Sequence, residues 1–148
     1  MKNVDIEYLV YRHRDMWNWI SHQIMKSRSC LNIDDLKEQY ITYYESREFC
    51  LTLSKSGFCY LCYLSDLLSD FADTKDSRVH ACIFCHKCIP TYEYKCASSI
   101  GRCLNGLYRD VLFPGKSYKY QAFVAYRIST LEIDMEKAKQ MFGIDKSE

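Results

Sequence analysis

Cys59-Tyr-Leu-Cys62 and Cys85-His-Lys-Cys88 are the two stretches whose residue types and spacing can do chemistry. Two intervening residues let both sulfurs reach one ion from a tight turn or a helix start. Two such pairs supply the four thiolates of tetrahedral zinc. The 22-residue spacer between Cys62 and Cys85 slightly exceeds the commonest range for zinc ribbons. The spacing predicts one structural Zn2+ held by Cys59, Cys62, Cys85 and Cys88. Four thiolates leave no coordination position open, so such a site is architecture rather than a reaction centre.

Other donors compete for individual places. Cys82 stands two residues before the next cysteine in Cys82-Ile-Phe-Cys85, so it is an alternative to Cys88. His80, His86, Cys96 and Cys103 are further candidates, and a two-metal arrangement would draw in Cys82, Cys96 and Cys103. Local chemistry favours Cys88: His86-Lys87 is polar and suits an exposed knuckle, whereas Ile83-Phe84 favours burial and takes Cys82 inward as a small hydrophobe. Cys30 and Cys50 stand alone and read as core or surface thiols. The metal-free alternative treats all nine cysteines as small buried side chains. A redox pair at Cys59 and Cys62 lacks the strand–helix pattern of thioredoxins, and no proline or glycine shapes the turn between them.

Catalytic patterns are missing from the sequence. His80 is followed by Ala81-Cys82 instead of the His-x-Glu of zinc deaminases, and no proline precedes Cys85. No motif singles out a cysteine–histidine pair from His13, His22, His80 and His86, and there is no glycine-rich phosphate loop. A non-enzymatic role is expected. A binding surface has more to stand on. Arg102, Arg109, Lys116, Lys119 and Arg127 face a single acid, Asp110, and Tyr108, Tyr118, Tyr120 and Tyr126 are interleaved with them. Arginine and tyrosine dominate protein–protein hot spots. The same residues can neutralise phosphates and stack on bases, so a nucleic-acid surface is the alternative.

These groups need a scaffold, and the composition supplies one. Of 148 residues, 48% are apolar, with thirteen tyrosines but only five glycines and two prolines. That describes one folded, mainly α domain over residues 1–148, with a helical body at 1–72 and 117–143 and a cysteine-rich segment at 57–103. A net charge of +1 fits neither an acidic DNA mimic nor a simple DNA-coating protein. No apolar run approaches the roughly 20 residues that cross a bilayer. The reading is a cytoplasmic chain without a membrane partner, where thiols stay reduced.

About four helices are expected. Ile6, Leu9, Val10, His13, Met16, Trp17, Ile20 and Ile24 make one stripe over residues 4–25. Asn32 caps a second helix from Ile33 to about Phe49, with Leu36, Tyr40 and Tyr43 or Tyr44 inward. A third runs from about Tyr60 to Phe71, with Cys59 at its mouth. Leu104-Asn-Gly-Leu107 reads as a turn. Ser117 caps a last helix to about Phe142, with a seam of Val124, Ile128, Leu131, Met135, Ala138 and Phe142. That seam is read as packing within the domain, and a dimer through this helix is the other use of it.

Trp17-Asn-Trp19, Phe58-Cys-Tyr-Leu-Cys62, Cys85-His-Lys-Cys88 and Cys103-Leu-Asn-Gly-Leu-Tyr108, followed by a closing helix, resemble a loose group of short cysteine-rich proteins. That group is encoded by phages and prophages of Gram-positive bacteria. Here Ile89 intervenes before Pro90, where the group's second pair runs directly into proline. The resemblance implies a zinc-stapled accessory protein in the bacterial cytoplasm. Its implied partner is a host or defence protein or nucleoprotein complex, which it would bind and inhibit in the manner of an anti-CRISPR protein.

Overall fold

A computed structural model of the chain describes residues 5–71 and 104–131, and among these the secondary structure is helical throughout. The described residues form six helices: α1 (Ile6–Ser27), α2 (Ile33–Tyr44), α3 (Arg47–Ser54), α4 (Tyr60–Phe71), α5 (Leu104–Leu112) and α6 (Tyr118–Thr130). Helix α1 is the hub. It packs most extensively on α6 and also touches α4 and α2, while α5 lies on α6 and α3 on α2.

The stripe predicted for α1 is the face the protein buries. Ile6, Leu9, Val10, His13, Met16, Trp17, Ile20 and Ile24 are all inside. Burying each large apolar side chain contributes about 1.5–3 kcal/mol, so this face holds the domain together. Asp5 starts the helix by accepting the Tyr8 amide at 2.9 Å. Ser21, on the same face, donates its hydroxyl to the Ala122 carbonyl of α6 at 2.7 Å.

The expected single helix from Ile33 to Phe49 is two helices. Glu45 leaves α2 in extended backbone, and Ser46 caps α3 by accepting the Phe49 amide at 3.1 Å. The break carries the Glu45 carboxylate inward, where it accepts hydrogen bonds from the Tyr8 hydroxyl at 2.8 Å and the Tyr60 hydroxyl at 2.8 Å. The Arg12 guanidinium stands 3.9 Å from it. Tyr43 and Tyr44 are both exposed, and α2 turns Ile33, Leu36, Lys37, Tyr40 and Ile41 inward instead.

Two further expectations are corrected. Leu104-Asn-Gly-Leu107 opens a helix rather than a turn, and burial of Leu107 and Val111 against the core outweighs the glycine cost of about 1 kcal/mol. Helix α6 stops at Thr130, with Leu131 extended, rather than running to Phe142 as one helix. The Ser129 and Thr130 hydroxyls both bond back to the Tyr126 carbonyl, at 2.6 and 3.2 Å, offering the last turn side-chain partners. Val124 and Ile128 of the seam are buried and Leu131 is half-buried, whereas Met135, Ala138 and Phe142 lie outside the described residues.

Gln121 ties the two described segments of the chain together. Its side-chain oxygen accepts the Leu31 amide at 2.9 Å, and its nitrogen donates to the Leu31 carbonyl at 2.9 Å and the Val111 carbonyl at 3.1 Å.

Candidate functional site

The chain reaches the cysteine turn through an abrupt bend. After α3, Gly57 and Phe58 both take left-handed backbone, with φ of 67° and 55°. A Cβ on Gly57 would meet nothing within 4 Å, so the demand for glycine there is conformational rather than steric. Phe58 holds the conformation at a cost of about 1–2 kcal/mol, fixed by its amide on the Leu53 carbonyl at 2.9 Å. The bend delivers Cys59 to the start of α4. There its Sγ accepts the Cys62 amide at 3.1 Å, the position an aspartate or serine cap would fill.

Cys59 and Cys62 therefore occupy one helical turn, as the spacing predicts, with Cys59 buried and Cys62 half-buried. The Cys62 thiol donates to Cys59 and holds it below the ordinary thiol range; burial opposes this, and the Lys37 charge and the first amides of α4 reinforce it. Cys62 is correspondingly pushed up, by that bond and by burial, so Cys59 is the more acidic of the two thiols. Leu61 and Leu64 anchor the turn in the core, and the Tyr60 hydroxyl anchors it to Glu45. On the outside, the Ser56 hydroxyl donates to Asp66 at 2.7 Å.

This donor set fits half of a tetrahedral thiolate centre. Two soft sulfurs come from one turn, and an amide already donates to one of them. Cys85 and Cys88, the predicted other half, lie outside the described residues. So do the competing donors His80, Cys82, His86, Cys96 and Cys103. Among the described residues no three histidine, cysteine or acidic side chains converge on one point. Cys30 is exposed, and Cys50 is half-buried with its thiol 3.4 Å from the Ile41 carbonyl.

One buried charge has no counterpart in the sequence reading. Lys37, on the buried face of α2, is only 1% exposed. Its Nζ donates to the Tyr108 hydroxyl at 2.6 Å and lies 4.8 Å from the centre of that ring. Its position could have been found, because Ile33, Lys37 and Ile41 recur at four-residue spacing on the stripe itself.

The predicted partner surface divides. Arg102 lies outside the described residues. Tyr108 is half-buried: its hydroxyl accepts from Lys37, and its ring packs edge-on against Trp17 at 6.0 Å and against the core. Tyr118 is half-buried against the core as well. Arg109, Lys116, Lys119, Tyr120 and Arg127 are exposed. The structure adds Phe123, 54% exposed, and Tyr126, one of the interleaved tyrosines, is 49% exposed. At about 100° per residue, Lys119, Tyr120, Phe123, Tyr126, Arg127 and Thr130 share about 120° of the surface of α6. The opposite arc, with Ala122, Val124, Ala125 and Ile128, is buried. Arg127 lies over the Phe123 ring at 5.8 Å, and α6 contains no carboxylate. A surface hollow of ≈ 310 Å³ continues this face onto α1, where Tyr11, Arg14 and Asn18 meet Tyr126 and Thr130.

No protein-family model, curated protein or solved structure matches this chain. None of the described helices is long and apolar enough to cross a membrane.

Proposed function

We propose that this chain is a non-enzymatic, zinc-stabilised accessory protein of the phage kind. It binds and inhibits a bacterial protein partner, as an anti-CRISPR-like inhibitor of a defence nuclease would, and does so through the outer face of α6. The observation that carries this reading is the composition of that face. Three aromatic side chains stand 44–54% exposed beside Lys119 and Arg127, with no acidic residue in the helix. Aromatic and arginine side chains are the usual anchors of a protein interface, and exposing them otherwise has only a solvation cost. The buried arc of α6 holds this face rigidly against α1, so binding would need little ordering of the helix. Zinc on Cys59, Cys62, Cys85 and Cys88 would have a structural role, fixing the turn between α3 and α4. The location in this reading is the bacterial cytoplasm.

The test compares the wild-type chain with the Phe123→Ala, Arg127→Ala double variant as baits in host extract, followed by mass spectrometry. A partner held by the first and lost by the second, with thermal stability unchanged, supports the reading. Equal capture by both removes α6 from it. The absence of carboxylates on α6 also suits a phosphate backbone, which makes single-stranded nucleic acid the second reading. In that case affinity falls steeply as salt rises, and no binding at low salt eliminates it.

A further inference from the structure

The polar groups that line the ≈ 310 Å³ hollow between α1 and α6 divide into those already satisfied and those left open. Asp15, the one carboxylate among the described lining residues, accepts the Tyr40 hydroxyl at 2.5 Å and lies 4.0 Å from the Arg12 guanidinium. The Ser129 and Thr130 hydroxyls donate back to the Tyr126 carbonyl, which leaves them no proton to offer a ligand. The remaining groups can all donate. Arg14 lines the hollow and is exposed, and among the described residues its guanidinium has neither an ion-pair nor a hydrogen-bond partner. The Asn18 side-chain amide and the Tyr11 and Tyr126 hydroxyls are likewise open among those residues, and the two tyrosines are 60% and 49% exposed. Open donors around one cation, beside an acid that is already bonded, suit an acceptor that carries negative charge.

We propose that this hollow receives an acidic segment of the protein partner, with one carboxylate set between Tyr11 and Tyr126 on the Arg14 guanidinium. The proposal rests on the reading of α6 as a protein-binding face and specifies what that face takes. Arginine presents parallel N–H groups that match the two oxygens of a carboxylate. Charge favours the same occupant beyond the hollow, because Lys119 and Arg127 are exposed on α6, which contains no carboxylate. A second acidic residue along the segment finds a cation there as well. Nucleic acid is the poorer fit. Its affinity grows with the number of phosphates neutralised, and one cation among the described lining residues, in a chain of net charge +1, offers few. The volume lies at the small end of ligand pockets and suits a side chain of a larger partner.

A displayed library of random short peptides, panned on the full wild-type chain, is the test, and binders enriched in aspartate and glutamate are expected. A selected peptide is then measured by fluorescence anisotropy in a double-mutant cycle, its acidic residue changed to glutamine and the chain changed to Arg14→Gln. Each change alone should weaken binding by about 10–100-fold, and both together little more than either, because they remove the same charge-assisted bond. Arg14→Lys should recover part of the loss, since it keeps the charge without the fork. Arg14 is exposed, so these variants should keep wild-type thermal stability. Binders without acidic enrichment, wild-type affinity in Arg14→Gln, or losses that simply add overturn the proposal. If such binders are still lost by the Phe123→Ala, Arg127→Ala double variant, the protein-binding face stands and only its acidic anchor falls. A library that yields no binder overturns the proposal, and oligothymidylate binding at low salt in its place overturns the protein reading as well.

Discussion

His13 is the residue whose removal the structure predicts most sharply. It lies in the α1 face against α6, is 1% exposed, and neither ring nitrogen has a hydrogen-bond partner. Burial lowers its pKa from 6.5 to about 3, and the neighbouring Arg14 charge adds to this. The Ile128 backbone offsets the shift in part without making a hydrogen bond of good geometry. The native imidazole is therefore neutral at any pH above about 3, whereas in the unfolded chain it takes up a proton below about 6.5. Between those values the unfolded state binds more protons, so stability falls as the pH is lowered through that window and levels off below about 3. At about pH 4.5 the penalty is two pH units of proton uptake, or about 2.7 kcal/mol. His13→Leu, similar in volume and free of unpaired nitrogens, should match or exceed wild-type stability at neutral pH. Its unfolding free energy should then drop less on acidification, by that same 2–3 kcal/mol. Urea unfolding of both proteins at about pH 7 and about pH 4.5 measures the difference directly. Any metal released at low pH would affect both chains alike and cancel. A difference between the two proteins that does not change with pH would refute the assignment of a neutral, buried His13.

Two other substitutions probe the internal polar groups. Gln121→Leu strips partners from the Leu31 amide and from the Leu31 and Val111 carbonyls, and should lower unfolding free energy in urea by about 2–4 kcal/mol. Glu45→Ala leaves the Tyr8 and Tyr60 hydroxyls without their shared acceptor and the Arg12 guanidinium without the carboxylate 3.9 Å away. It should cost about 3–5 kcal/mol by the same assay, with Glu45→Gln costing less because one acceptor oxygen remains.

The parts of the fold that were legible in the sequence were those where local chemistry and burial agree. The α1 stripe, the Asn32 and Ser117 caps and the start of α4 immediately after Cys59 all fall in this group. The departures come where a distant contact decides. The α2–α3 break exists because Glu45 serves Tyr8 and Tyr60, one 37 residues before it and the other 15 after. Residue type alone gave no reason to take a glutamate inward. Gly106 sits in a helix because Leu107 and Val111 find the core, which no local propensity announces. Lys37 was not singled out from the sequence, and its burial is accompanied by the hydroxyl and ring of Tyr108. Within the candidate site, spacing alone brought Cys59 and Cys62 together.

The bond from Ser21 to Ala122 spans 101 residues, and it marks the contact between the first helix and the last one described. During synthesis at about 5–20 residues per second, α1 would wait about 5–20 seconds before α6 leaves the ribosome to cover it. In that interval part of the face carrying Met16, Trp17, Ile20 and Ile24 has no permanent lid, and a growing chain is open to chaperones or to association with its neighbours. Despite its helical content, the molecule should therefore fold late, like proteins whose key contacts are distant in sequence. Its yield in a cell would depend on what protects α1 until the chain can close on itself.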